Sequence, residues 1–280
     1  MKITNKRILA TLLIAVFIVS SLAYFALCAQ SRLFSKTHLF ENRKHAPWEG
    51  EPRIALIGDS WIAGNDLDPY IAQALSEQGW KVTLDSFGQP GARSKRIYQN
   101  LIDGDSQFSS RSVIFGDDPY DLVVIVAGVN DSAGYMGADY YVHHMRLIIN
   151  TLIERGSIPV IVELPEFGIE KTGSNNPAGY VRRQIFRHIF NGSEIDVIAD
   201  YRDELKRYLL KSGLTDEDYL FVDFDQVARH YSESLEIYRE DLLHLNDEGN
   251  KQLSKAIARE INEWLTRRWR QRSISDVASS

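Results

Sequence analysis

The sequence predicts an α/β fold in which helices cover both faces of a parallel sheet. Short apolar runs alternate along the chain with segments of helical periodicity, and three of the runs end in a glycine-containing turn with polar residues. Strands that alternate with helices favour a parallel sheet, because each parallel connection needs a crossover. An amphipathic segment near the C-terminus completes the domain as its last helix.

Five apolar runs of strand length form the predicted sheet. The run at residues 121–127 is the clearest, because it is unbroken and Gly128 follows it. Continuous runs of this kind are typical of strands that are buried on both faces. The predicted strands are residues 54–57, 81–87, 121–127, 158–164 and 220–224.

Helical signals occupy the segments between these runs. Residues 69–78 follow Asp68, a suitable N-cap, and end before Gly79. Residues 139–155 carry apolar side chains at helical spacing and end before Gly156. The predicted helices are residues 69–78, 94–101, 139–155 and 247–269, with shorter pieces around 181–190 and 195–211.

The N-terminal 29 residues predict a transmembrane helix that anchors the protein. Lys2, Lys6 and Arg7 precede an uncharged, largely apolar run at residues 8–29, which is long enough to cross a bilayer. Basic residues before such a run place the N-terminus in the cytoplasm. We therefore expect a single-pass protein whose main domain is extracytoplasmic, in the periplasm or at the cell surface. A cleaved signal peptide is the alternative, since residues 26–29 include small side chains.

Beyond the anchor we expect one domain. Residues 30–51 are polar and carry no clear period, which is typical of a linker. Residues 52–269 form the predicted domain, with an insertion at 165–215 that is rich in aromatic and charged residues. Residues 270–280 are interpreted as a disordered tail.

Composition excludes several classes of protein. The net charge is −6 and no long basic stripe is present, which argues against a nucleic-acid partner. Cys28 is the only cysteine, so neither an internal disulfide nor a cysteine metal cluster is available. The histidines show no metal-ligand spacing. We therefore expect neither a metal nor a cofactor.

Ser60 follows the first predicted strand in the turn Gly58-Asp59-Ser60. The carboxyl edge of an open parallel sheet is where ligands bind, so a serine there is well placed to act as a nucleophile. A helix N-cap is the other interpretation of a serine after a strand. Two further turns, Gly88-Gln89-Pro90-Gly91 and Gly128-Val129-Asn130-Asp131, follow predicted strands and would share that edge.

Asp241 and His244 stand three residues apart, just before the last predicted helix. One turn of backbone can bring the carboxylate to one imidazole nitrogen. A carboxylate in that place fixes the tautomer, so that the other nitrogen can take a proton from a serine.

These turns in this order resemble the SGNH (GDSL-type) hydrolase superfamily. Gly58-Asp59-Ser60 is similar to its first block, Gly128-Val129-Asn130-Asp131 to its third and Asp241-Leu242-Leu243-His244 to its fifth. Gly91 matches the glycine of the second block best, and Gly88 is the other candidate. The resemblance spans about residues 52–265 and implies a three-layer α/β/α, flavodoxin-like fold.

The resemblance also implies roles for individual residues. Ser60 matches the nucleophile, His244 the base and Asp241 the carboxylate that holds it. The backbone N–H groups of Ser60 and Gly91 and the side-chain amide of Asn130 match the oxyanion hole. Asp59 and Asp131 would brace the turns by accepting hydrogen bonds. Trp61 departs from the leucine of many members, and we expect it to contact substrate.

Three functions are compatible with these expectations. The leading hypothesis is a serine esterase or acyltransferase that acts on O-acyl groups, in particular O-acetyl groups, of a cell-envelope carbohydrate. A lysophospholipase or thioesterase that acts on lipid is the second, and a non-catalytic binding protein with the same fold is the third. The insertion contains aromatic residues that could stack on sugar rings or belong to the core: Phe167, Tyr180, Phe186 and Phe190.

Overall fold

A computed structural model provides the coordinates of the chain. It describes residues 13–22, 24, 50–116, 120–134, 136–167, 181, 185, 197–228 and 234–279, with backbone alone at 197 and 271–279. The chain divides into two units, residues 1–42 and residues 43–280.

Within the described residues, five parallel strands form one sheet in the order β2-β1-β3-β4-β5. All five predicted strands are confirmed, with ends trimmed or moved by one or two residues. Their bounds are Arg53–Gly58 for β1, Thr83–Gly88 for β2, Leu122–Val126 for β3, Ile158–Val162 for β4 and Leu220–Val222 for β5. This order is that of flavodoxin-like folds.

Eight α-helices of the second unit accompany the sheet in the described part of the chain. They are α1 Ser60–Ala63, α2 Asp68–Glu77, α3 Ser94–Ile102, α4 Ser112–Phe115, α5 Val129–Ala133, α6 Ala138–Glu154, α7 Val197–Lys211 and α8 Asp247–Ser279. Two short 3₁₀ helices lie at Phe224–Gln226 and Leu235–Ile237. The short helices α1 and α5 begin within three residues of the ends of β1 and β3, so they lie at the carboxyl edge of the sheet.

The order of the strands sets where the helices lie. The chain runs from β1 outward to β2 and then returns past β1 to β3. Because parallel crossovers are right-handed, this reversal places α2 on one face and α3 on the other. Helices α3, α6 and α7 pack in series, whereas α8 packs against α2. In open sheets with such a reversal, ligands bind beyond the carboxyl ends of the two strands beside it, which here are β1 and β3.

The core is built from strands that are buried on both faces. Every residue of β3 and β4 is fully or almost fully buried, which explains their unbroken apolar runs. The 17-residue helix α6 adds a buried stripe that includes Tyr141, Met145, Ile149 and Leu152. Burial of each such side chain contributes about 1.5–3 kcal/mol to the stability of the fold. The sheet edge is therefore held by a well-packed core.

The last helix extends ten residues beyond its predicted end, into the segment interpreted as a disordered tail. Helix α8 continues through Trp269 to Ser279. No glycine or proline lies between residues 250 and 279, so the sequence offers no residue that would end the helix earlier.

Other predictions fall largely outside the described residues. Residues 30–49 of the linker and most of the helical piece at 181–190 are outside them, although 181 and 185 are helical. In the first unit, residues 13–22 and 24 are helical and mostly exposed. Among the described residues, no helix is both long and apolar enough to span a bilayer. The anchor and its alternative, a signal peptide, remain predictions.

Candidate active site

Ser60 begins α1, directly beyond the carboxyl end of β1. Asp59 caps this helix, since its Oδ1 accepts a hydrogen bond from the backbone N–H of Trp61 at 3.0 Å. The helix packs directly on the end of β2, where a Cβ on Gly88 would lie 2.2 Å from the backbone nitrogen of Ala63. The absence of a side chain at Gly88 therefore allows α1 to carry Ser60 at the sheet edge.

The segment that carries Asp241 and His244 is a tight turn rather than a helix. Asp241 Oδ1 accepts hydrogen bonds from the backbone N–H groups of Leu243 and His244, both at 2.9 Å. Leu242 lies in the left-handed region at φ 53°, a conformation that costs a leucine about 1–2 kcal/mol. The hydrogen bonds to Asp241 hold the turn in this shape.

Ser60, His244 and Asp241 form one hydrogen-bonded series. His244 Nε2 lies 2.9 Å from Ser60 Oγ, and His244 Nδ1 lies 2.6 Å from Asp241 Oδ2. With a proton on Nδ1, the imidazole donates to the carboxylate and accepts from the serine hydroxyl. Ser60 and His244 are 184 residues apart in the sequence, yet the fold brings their side chains together. The three side chains have the geometry of a nucleophile, a base and an orienting acid.

The electrostatics of the series keep its carboxylate ionised. Partial burial alone would raise the pKa of Asp241, but the hydrogen bonds from the His244 side chain and from the backbone N–H groups of His244 and Leu243 outweigh it and lower the pKa. A negative charge beside Nδ1 stabilises the imidazolium that forms when His244 takes a proton.

Arg239 ties this turn to the rest of the domain. Its Nε donates to the carbonyl of Leu245 at 2.9 Å, and its Nη2 lies 2.8 Å from Asp66 Oδ2, in the loop after α1. The side chain of Asn246 bonds the same turn to the start of α8, since its Oδ1 accepts from the N–H of Gly249. Sequence reasoning missed Arg239 and Asn246, and no motif singles out either of them.

Gly91 is better placed than Gly88 for an oxyanion hole. Gly88 lies beneath α1, as described above. Gly91 has φ 72° and nothing within 4 Å of an ideal Cβ position, so its backbone borders open space. The residue after it, Ala92, accepts a hydrogen bond from Asn130 Nδ2 at 3.1 Å, which joins this turn to α5.

Asn130 already donates both of its amide hydrogens to the protein. Its Nδ2 lies 3.1 Å from Asp59 Oδ2 as well as 3.1 Å from the carbonyl oxygen of Ala92. These bonds connect the turns after β1, β2 and β3 through a single side chain. The structure thus places Asn130 between the Ser60 turn and the Gly91 turn.

Asp59 and Asp131 brace the site, as predicted. Asp59 is fully buried, and this burial raises its pKa to about 7 despite the hydrogen bonds from Trp61 and Asn130. Asp131 is also fully buried and accepts from the N–H and the hydroxyl of Ser94 at 2.8 and 2.7 Å. Burial raises the pKa of Asp131 too, against these hydrogen bonds.

Trp61 does not line the cleft, which corrects the expectation that it contacts substrate. Its side chain is 5% exposed, and its ring packs edge-on against Phe224 at 6.2 Å between centroids. Successive residues of a helix point about 100° apart, so a helix that turns Ser60 toward the cleft turns Trp61 away from it. Trp61 is a core residue.

The aromatic residues of the insertion are only partly described. Phe167 is fully buried, so it belongs to the core and is not available to a sugar ring. Tyr180, Phe186 and Phe190 lie outside the described residues.

In the described part of the chain, one cluster of acidic residues has its carboxylates close enough together to hold a metal ion. Oxygens of Glu163, Asp223 and Asp225 lie within 4.8 Å of one another. Lys206 Nζ lies 2.6 Å from Glu163 Oε1, and Arg202 Nη1 lies 3.2 Å from Asp225 Oδ1. These two cations offset part of the negative charge of the three carboxylates.

The sequence profile of the GDSL-like Lipase/Acylhydrolase family matches residues 56–252, which is more than half of the chain. A comparison with curated proteins gave no match.

Solved structures of esterases and lipases share the fold. A lipase/acylhydrolase from Enterococcus faecalis has a TM-score of 0.53 and 17% identity over 76% of this chain and 96% of that one. The lipase Lip_vut3 from a goat rumen metagenome has a TM-score of 0.52 and 13% identity over 75% of this chain and 97% of that one. Axe2, an acetylxylan esterase from Geobacillus stearothermophilus, has a TM-score of 0.51 and 14% identity over 75% of this chain and 94% of that one.

The family profile identifies a hydrolase that acts on ester bonds, and the fold is shared with the solved structures above. The chain belongs to the GDSL-like Lipase/Acylhydrolase family, which confirms the resemblance to the SGNH (GDSL-type) hydrolases.

Proposed function

We propose that the protein is a serine esterase in which Ser60, His244 and Asp241 form the catalytic triad. The observation that carries this proposal is the series of hydrogen bonds of 2.9 and 2.6 Å from Ser60 through His244 to Asp241. His244 Nε2 takes the hydroxyl proton as Ser60 Oγ attacks the ester carbonyl, and then gives it to the departing alcohol. Water, deprotonated by the same nitrogen, releases the acid from the acyl-enzyme and restores Ser60.

The tetrahedral intermediate in this mechanism is bound by the backbone N–H groups of Ser60 and Gly91 and by Asn130 Nδ2. Asn130 donates to Asp59 and Ala92 before reaction, so one of its hydrogens turns from a protein oxygen to the oxyanion. Such an exchange costs little, because one charge-assisted hydrogen bond replaces another polar one. A donor of this kind typically contributes about 3 kcal/mol, or a hundredfold in rate.

The proposed substrate is an O-acylated, in particular O-acetylated, carbohydrate of the cell envelope. The apolar run at residues 8–29 with basic residues before it supports an anchored enzyme whose domain lies outside the cytoplasm. Among proteins of the same fold, Axe2 is an acetylxylan esterase, so this fold accommodates an O-acetylated polysaccharide. Transfer of the acetyl group to a second hydroxyl uses the same acyl-enzyme and the same base.

The proposal is tested with the purified full-length chain on p-nitrophenyl acetate. Wild-type protein hydrolyses the ester, and Ser60→Ala lowers kcat by about four to six orders of magnitude. Ser76→Ala, an exposed serine on α2, is the matched control and retains the wild-type rate. Activity of Ser60→Ala within a few fold of wild type would contradict the serine mechanism.

A series of acyl chains separates the candidate substrates. An acetyl esterase loses kcat/KM as the ester lengthens from acetyl to octanoyl, whereas a lipid hydrolase gains it. Addition of an acceptor glycan distinguishes transfer from hydrolysis, since transfer gives acetylated glycan in place of free acetate.

A further inference from the structure

Arg93 stands two residues after Gly91, and its backbone is held from both sides by α5. On one side, the carbonyl of Ala92 accepts from Asn130 Nδ2 at 3.1 Å. On the other side, the N–H of Ser94 donates to Asp131 Oδ2 at 2.8 Å. The Cα of Arg93 is therefore fixed relative to the proposed oxyanion hole.

The guanidinium of Arg93 lies over Gly134, at the end of α5. An ideal Cβ on Gly134 would lie 2.9 Å from Arg93 Nη2 and 3.4 Å from its Cζ. The absence of a side chain at Gly134 makes room for the guanidinium on the helix that carries Asn130.

This guanidinium has no polar partner in the described part of the chain. Neither a hydrogen bond nor an ion pair engages its nitrogens there, in contrast to Arg202 and Arg239, which each bind a carboxylate. Arg93 is half-buried. A partly desolvated guanidinium whose N–H groups are not hydrogen-bonded can bind a carboxylate or a phosphate through two parallel hydrogen bonds.

A purely structural role for Arg93 would be to neutralise Asp131. The positive charge does act on Asp131, whose pKa it lowers against the larger effect of burial. The oxygens of Asp131, however, are occupied by the N–H and hydroxyl of Ser94. Asp131 therefore leaves the donors of Arg93 available to a ligand.

The charges around Arg93 also differ from those that stabilise a helix start. The first turn of α3 has no acidic residue and includes Lys95 and Arg96, both exposed, although a helix N-terminus favours negative side chains. Local departures from such preferences are typical of functional sites. The chain as a whole carries a net charge of −6, so a negative substrate needs a local cation to offset repulsion.

We infer that Arg93 binds an anionic group next to the scissile ester, so that the enzyme prefers acylated carboxylates or phosphates to neutral esters. This inference rests on the proposed function and specifies its substrate class. An acidic or phosphorylated O-acetylated carbohydrate has the required chemistry, because it presents an anion close to an acetyl ester.

The experiment compares 4-acetoxybenzoate with its neutral methyl ester, using the full-length chain. Wild type prefers the charged ester, and Arg93→Gln lowers kcat/KM for it by about tenfold or more, as the loss of a charged hydrogen bond does. The rate on the methyl ester stays within about twofold. Arg93→Lys keeps the charge without the fork and gives an intermediate loss. 4-Acetoxyphenyl phosphate, run in parallel, shows whether the variant loses more on phosphate or on carboxylate.

Lys255→Gln is the matched control, since it removes an exposed positive charge from a different helix, α8. It leaves the ratio of the two rates unchanged if Arg93 acts by contact. Equal losses on both esters in Arg93→Gln, or no charge preference in wild type, would overturn the inference while leaving the serine mechanism intact. Hydrolysis of both esters by Ser60→Ala would instead overturn the proposed function on which the inference rests.

Discussion

Asp241 holds both the backbone and the side chain of His244. Its Oδ1 accepts the backbone N–H of His244 at 2.9 Å, and its Oδ2 lies 2.6 Å from His244 Nδ1. One carboxylate thus fixes the position of the residue and the orientation of its ring. Because the ring bears Nε2 toward Ser60, this relationship is the structural basis of the proposed base.

Replacement of Asp241 by Asn tests that relationship. The amide keeps an oxygen for the backbone N–H groups but presents an NH₂ group to Nδ1, so the imidazole changes tautomer and loses its acceptor toward Ser60. We expect kcat to fall by about 10²–10⁴. Steady-state kinetics on p-nitrophenyl acetate measure this, and Glu240→Gln, an exposed neighbour, controls for the loss of one charge. A change of less than about threefold in Asp241→Asn would mean that the carboxylate does not orient the base.

Arg239→Gln is expected to loosen the His244 turn. The variant loses the ion pair with Asp66 and the bond to the Leu245 carbonyl. Because Arg239 acts through the position of His244, kcat should fall about tenfold with KM nearly unchanged. Asp66→Asn removes only the ion pair and gives a smaller decrease. If kcat stays at the wild-type value in both variants, the turn is held without Arg239.

Stability of the protein should depend on pH through Asp59. Burial raises its pKa from 3.8 to about 7 in the folded state, so the folded protein holds this proton more tightly than the unfolded chain. The resulting stabilisation is fully present below about pH 4 and is lost as the pH rises through about 7. Asp59→Asn removes this contribution.

Urea denaturation at pH 4.5 and at pH 7.5 measures the effect. The free energy of unfolding of wild type should fall by a few kcal/mol relative to that of Asp59→Asn between the two pH values. Asp105→Asn, at an exposed position, controls for the loss of a carboxylate. An identical difference between wild type and Asp59→Asn at both pH values would show that Asp59 does not hold a proton in the fold.

Alanine at Gly88 and at Gly91 should have different effects on stability. At Gly88 the new Cβ would lie 2.2 Å from the backbone of Ala63, and a clash with backbone costs about 3 kcal/mol or more. At Gly91 the space is open and only the φ of 72° opposes alanine, at a cost of about 1–2 kcal/mol. Chemical denaturation measures the free energy of unfolding of the two variants. A larger decrease for Gly91→Ala than for Gly88→Ala would contradict the conclusion that Gly88 lies beneath α1 and Gly91 borders open space.

The strands were predictable because burial on both faces leaves an unbroken apolar run. Residues 122–126 show this at β3, and the glycine after it marks the carboxyl edge. The pairing of Asp241 with His244 was also visible, since three residues suffice to form the turn. The positions of the strands, and the contact between residues close in sequence such as Asp241 and His244, could therefore be predicted from the local sequence.

Features that depend on distant contacts were not predictable. Arg239 and Asp66 are 173 residues apart, and nothing near either residue indicates the other. The burial of Trp61 depends on Phe224, across the fold, so sequence could not show which way its ring points. The left-handed backbone of Leu242 was hidden because leucine rarely adopts it.

The most direct test of the account is covalent labelling of the native, full-length protein with a fluorophosphonate, which reacts with activated serines. Peptide mass spectrometry should find the label on Ser60. His244→Ala should slow the labelling by several orders of magnitude, and Ser60→Ala should abolish it. Label on another serine, or equal rates in wild type and His244→Ala, would contradict the claim that Ser60 is a nucleophile activated by His244.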